Sequence, residues 1–159
     1  MDIFDVNLIL ASFGGGLFGA ALGPIVAFIF CGVLILAGIA AEVLGNPDII
    51  SGIAFGPYFG PHISFGAAVV ATAYAGKKGV LHGCKDILTP LYKFKRYDFL
   101  LVGGISGVLG YLINGFLSGN SLPVDTIALT ITILHISARF VFGSSGLLGD
   151  TAEEPNPII

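Results

Sequence analysis

Charge is scarce in this sequence. Asp, Glu, Lys and Arg supply 11% of its 159 residues, against about 25% in a domain whose surface faces water. So little charge cannot clothe an ordinary hydrated surface. Apolar residues fill the gap at 55% of the chain, and the mean hydropathy is +0.94. Lipid is the surrounding that fits.

Cysteine is nearly absent too. Cys31 lies in an apolar run and Cys84 in a basic loop, which makes neither a disulfide framework nor a zinc pattern. His82, Cys84 and Asp86 alternate within one loop. That spacing is too thin to argue a metal site, and neither metal nor cofactor is expected. HExxH, a P-loop, a nucleophile elbow and GxGxxG are all missing. Without paired catalytic carboxylates or a histidine cluster there is no basis for an enzyme and no catalytic residue to name. No basic-aromatic surface points to nucleic acid. The start, MDIFDVNLIL, lacks the basic flank of a cleaved signal, so the N-terminal segment is expected to be retained.

What is present is a set of apolar regions, 8–44, 49–76, 97–117 and 123–142. The first is too long for one span. As a single helix it would measure about 55 Å, against a hydrocarbon core of about 30 Å. Gly23-Pro24 offers a break, because proline disfavours helix in the residue before it and suits the first turn of the next. A helix ending at Leu22 and another from Pro24 to Leu44 are therefore expected; a long kinked helix is the alternative. In the second region continuous helix is expected to begin near Pro61 or His62 and to end at Gly76. In the fourth, Ser121 is a candidate N-cap with Pro123 in the first turn.

The fold class expected is all-α, a small polytopic transmembrane bundle of four to five spans with a Gly/Pro-broken segment. Residues 1–142 form the helical domain, and 143–159 read as a flexible tail. Six of the seven basic residues, Lys77, Lys78, Lys85, Lys93, Lys95 and Arg96, fall in the loop 77–96. Short basic loops stay cytoplasmic, which places this loop and the C-terminus inside, in a cell (inner) membrane. The N-terminus is outside with five spans and inside with four. Within the loop, VLHGCKDILTPLYKF reads either as a short interfacial helix ending at Pro90 or as a solvated connector.

Small residues recur at helical spacing. Gly15, Gly19 and Gly23 form one series. Gly52, Gly56 and Gly60 open another that continues through Ser64, Ala68, Thr72 and Gly76. Gly103, Gly107 and Gly110 form a third, with Asn114 following on the same stripe. In lipid such faces gain contact by letting backbones approach, so they are expected to pack helices, within the chain or between copies. GGLFGAALG (15–23) and GGISGVLG (103–110) are faintly alike, which composition alone can explain.

Two features could carry transport. AFGPYFGPH (54–62) contains FGP twice. Its prolines remove backbone donors, and free carbonyls at membrane depth survive only when buried in protein or lining a wet cavity. Tyr58 and His62 are its polar candidates; a tight turn with no function is the alternative. In the last apolar region Asp125, Thr132 and Arg139 recur every seven residues, with His135 beside them, making one polar stripe. Ionisable groups in a membrane usually face the protein interior or water, so this stripe is expected to face inward, although a histidine bonding between helices explains His135 as well. The function expected is a channel or transporter subunit for an ion or small solute, in the lipid bilayer and as a homo-oligomer. The alternative is a structural or accessory membrane protein assembling through its glycine faces.

Overall fold

A computed structural model describes residues 4–81, 86–120 and 122–143. The tail 144–159, Ser121 and the segment 82–85, with His82 and Cys84, lie outside the described residues. Within them the chain is all-helical. Five α-helices occur in the order α1 (Val6–Leu22), α2 (Pro24–Val43), α3 (Ser64–Lys77), α4 (Tyr97–Gly119) and α5 (Thr126–Phe142). A π-helical turn, Ile50–Ala54, precedes α3, and a 3-10 turn, Leu91–Phe94, precedes α4.

The long first apolar region is two helices. Gly23 separates them with φ +93°, a left-handed angle open to glycine, and Pro24 takes the first position of α2. The helices fold back on each other, bringing the Phe18 and Phe30 rings to 5.4 Å. The basic loop holds this hinge. Ile25 N–H donates to the Ile87 carbonyl at 3.1 Å, and a Cβ on Gly23 would lie 3.1 Å from the Thr89 carbonyl oxygen. Asp86 shapes that loop by accepting from the Leu88 and Thr89 N–H groups. These bonds, with one from the Thr89 hydroxyl foremost, keep its carboxyl below the usual range. Residues 86–90 are not helical; the short helix follows Pro90 instead and buries Leu91.

The most extensive interface joins α1 to α4. A Cβ on Gly16 would overlap the Gly103 carbonyl, one on Gly103 would overlap Ala20, and one on Gly107 the Ser12 carbonyl. The two faintly similar glycine segments are thus the two sides of one contact. Against the chain from the end of the π turn to the first residue of α3, Gly15 meets the Tyr58 carbonyl, Gly19 the Ser64 carbonyl and Gly110 the His62 carbonyl. Carbonyl oxygens set on glycine Cα–H groups are weak hydrogen-bond partners, and they explain why these positions carry no side chain.

Helix α5 begins later than the apolar pattern suggests. Its N-cap is Asp125, whose carboxylate accepts from Ile127 N–H at 2.9 Å and Ala128 N–H at 3.0 Å. Pro123 therefore stands before the helix. Its buried face is Thr130, Leu134 and Ala138, and Lys77 at the end of α3 donates to the Val141 carbonyl at 2.8 Å.

Two helices, α2 and α4, are long and apolar enough to cross a membrane, and α1 and α5 are shorter apolar helices. Only 22% and 28% of the most apolar stretches of α2 and α4 are buried. Phe28, Ile29, Val33, Leu36 and Ile39 of α2, with Leu101, Ile105 and Leu109 of α4, stand exposed.

Candidate functional site

The broken segment 55–63 accounts for most of its backbone. Phe55 N–H reaches the Ile50 carbonyl, Gly60 N–H that of Gly56, and Gly66 N–H that of Pro61. Side chains cap one carbonyl within it and one just before it: Ser64 donates to Phe59 at 3.0 Å, and Cys31 to Ala54 of the π turn at 3.3 Å. Aromatic rings fix its outer flank. Phe59 lies 5.5 Å from Phe18, 5.3 Å from Phe30 and 4.6 Å from Tyr58. Tyr58 belongs to this cluster, with its ring where a Cβ on Gly14 would go.

On the other flank of the segment is a cavity of about 690 Å³ between α1, the π turn, the broken segment and α4. It extends from exposed Ser51, Ser118 and Gly119 to buried Gly56 and His62. Its position follows from α4. The glycine face of that helix, Gly103, Gly107 and Gly110, gives way one turn later to Tyr111, Asn114 and Ser118, spaced three and four residues apart. There Leu8 of α1 faces the space together with Tyr111 and Asn114 of α4. The same helical face that seals the lower bundle lines the space above it.

The polar groups of the cavity are not all satisfied. Ser118 shares a hydrogen bond with Thr126 at 3.0 Å, and Ser51 donates to the Asp48 carbonyl at 3.4 Å. By contrast His62 Nδ1 and Asn114 Oδ1 are buried without a partner. His62 is only 3% exposed, and its ring occupies the place of a Gly60 side chain. Each unmatched atom costs about 1–3 kcal/mol.

The sequence candidates therefore divide. His62 and Asn114 meet in the cavity; Tyr58 packs beside it on α1. The stripe Asp125, Thr132, His135 and Arg139 is not brought to the cavity. Thr132 is exposed and donates to its own helix at the Ala128 carbonyl, 2.9 Å away, and Asp125 is spent as an N-cap. His135 is half-buried with its ring 5.4 Å from that of Phe65. Arg139 is half-buried in the last turn of α5, at the basic end. Thr132 stands outside the buried face of α5, whereas His135 packs against Phe65 of α3 with its Nε2 buried. Ser51, Tyr111 and Ser118 line the cavity without having stood out in the sequence. The spacing of Tyr111, Asn114 and Ser118 in continuation of the glycine stripe is the signal that reveals two of them. Among the described residues no cluster of His, Cys, Asp and Glu suits a metal ion.

A family model matches residues 1–156, from before α1 to beyond α5. The chain belongs to DUF7973, a family of unknown function. Neither a curated protein nor a solved structure matches it. The DUF7973 match takes in every residue of the cavity.

Proposed function

We propose that this chain is an integral membrane protein that forms a path for an ion or small solute, as a channel or transporter subunit. The exposed apolar sides of α2 and α4 support lipid as the surrounding. In this reading α1 descends to the basic end, α2 returns, and the π turn re-enters. Helix α3 then completes the third passage. Its 14 residues span only about 21 Å, so the broken segment falls at membrane depth. Helices α4 and α5 make the fourth and fifth passages, and the N-terminus is outside. At the basic end Arg96 lies 4.4 Å from the centre of the Phe99 ring, and Tyr92 and Tyr97 are exposed, a composition suited to a cytoplasmic headgroup layer.

The observation that carries the transport reading is the cavity: non-helical backbone beside His62 Nδ1 and Asn114 Oδ1, each buried without a partner. Irregular backbone within a membrane is tolerated where it lines a wet space. The alternative, a scaffold assembling through glycine faces, loses its main support, since Gly15, Gly16, Gly19, Gly103, Gly107 and Gly110 contact their own chain. A second copy is not needed to build the cavity, whose walls come from one chain.

Reconstitution into vesicles tests the proposal. Wild-type protein is expected to pass a small solute or ion well above protein-free vesicles. His62→Leu should lower that flux about tenfold, the value of one hydrogen bond at roughly 1.4 kcal/mol, with assembly intact. Thr132→Val, on the exposed side of α5, should leave it unchanged. No flux of any ion or solute through properly assembled wild-type protein would defeat the reading.

A further inference from the structure

From the lining of the cavity we infer that it is a binding site for a small uncharged solute with several hydrogen-bonding groups, a polyol or an amide, held between His62 and Asn114. This deepens the transport reading and rests on it for the solute's route, though not for the site itself. Among the described residues lining the cavity there is no Asp, Glu, Lys or Arg. An ion entering would surrender its hydration without meeting a fixed counter-charge, which is costly in a medium of low dielectric. An uncharged solute surrenders only hydrogen bonds, and the walls can return them.

The unmatched atoms specify the pattern. Ser51 and Ser118 already have partners, and Tyr111 is engaged as well. What is left is Asn114 Oδ1, an acceptor, and His62 Nδ1, which accepts or donates according to the imidazole tautomer. Both atoms are closed to solvent as the side chains stand; a molecule that offers an N–H or O–H to Asn114 and a second polar group to His62 satisfies both once the two side chains turn toward the space. Polyols and amides carry such groups on a neutral frame. Phe55 and Pro57 supply apolar wall against which its carbon skeleton can lie. At about 690 Å³ the space would hold roughly twenty waters at about 30 Å³ each, ample for a molecule of sugar size and far more than a file of water needs.

Binding is measured apart from flux. In full-length protein with Cys31→Ser and Cys84→Ser, Ser51→Cys places a thiol at the cavity mouth for a small methanethiosulfonate reagent. Glycerol, a hexitol, urea and acetamide form the uncharged arms. Potassium, sodium and chloride salts at matched osmolarity form the ionic arm. At least one uncharged arm should slow labelling in a saturable way while the salts do not, and which arm does so tells polyol from amide. His62→Leu and Asn114→Leu should each weaken that protection about tenfold, one hydrogen bond's worth. His62→Gln, which keeps a polar atom, should weaken it less and guards against loss of fold. Protection by salts alone, by nothing, or equally in all variants would overturn the inference. Protection without flux would keep the site and remove the transport reading; flux with no protection would do the reverse.

Discussion

Gly107→Leu is expected to abolish most of the assembled protein recovered in mild detergent, while Val108→Leu leaves recovery near wild type. The positions are adjacent on α4, yet they face different surroundings. A Cβ at residue 107 would overlap the Ser12 carbonyl and approach Gly16 of α1 within 3.0 Å, both backbone groups that no rotamer change can move. Val108 is half-buried and can grow by one carbon along the helix surface. Overpacking costs about 1–3 kcal/mol when side chains can shift; against backbone the upper end is expected, with α1 forced off α4 where their contact is greatest. Size-exclusion recovery after extraction measures it. Equal recovery of the two variants would mean that the glycine contact does not hold the bundle together.

The second large effect separates lipid from water as the surrounding of α2. Val33 stands 54% exposed in the middle of that helix. On a water-facing surface Val33→Lys would be nearly neutral, because exposed substitutions usually stay within about 0.5 kcal/mol. At the centre of a membrane helix the same change costs about 2.5–3.5 kcal/mol, which corresponds to roughly a hundredfold in the folded population. Val33→Lys is therefore expected to fail in membrane accumulation, whereas Glu42→Lys, at the exposed end of α2, should be tolerated. Membrane-fraction yield relative to wild type reads both. Full accumulation of Val33→Lys would remove the lipid-facing assignment of α2.

Much of the fold was legible because it depends on local chemistry. Gly23-Pro24 announces a helix break by backbone angle alone, and the break is there. Gly103, Gly107 and Gly110 share a stripe that periodicity reveals, and their close contacts are with the same chain. The direction of a stripe is a different matter. On α5 the spacing of Asp125, Thr132 and Arg139 shows that they share a side, but not where that side points. Polarity gave no guide, since Thr132 satisfies its hydroxyl on the helix's own carbonyl and Asp125 caps the helix N–H groups. The buried side is set by Thr130, Leu134 and Ala138, whose packing only the tertiary structure reveals. The cavity was half visible. His62 and Asn114 stood out as polar groups in apolar or glycine-rich surroundings. Their meeting depends on the FGP segment turning back against α4, which no local pattern encodes.

The path proposed here requires the basic end of the bundle and the cavity mouth to lie on opposite sides of a bilayer. Single-cysteine accessibility in intact cells tests this most directly, with Ser51→Cys and Lys93→Cys each placed in a Cys31→Ser, Cys84→Ser background. The account predicts that an impermeant maleimide added outside labels Ser51→Cys at once and Lys93→Cys only after the membrane is permeabilised. Labelling of Lys93→Cys from outside in intact cells, or recovery of the protein in the soluble fraction, would contradict it.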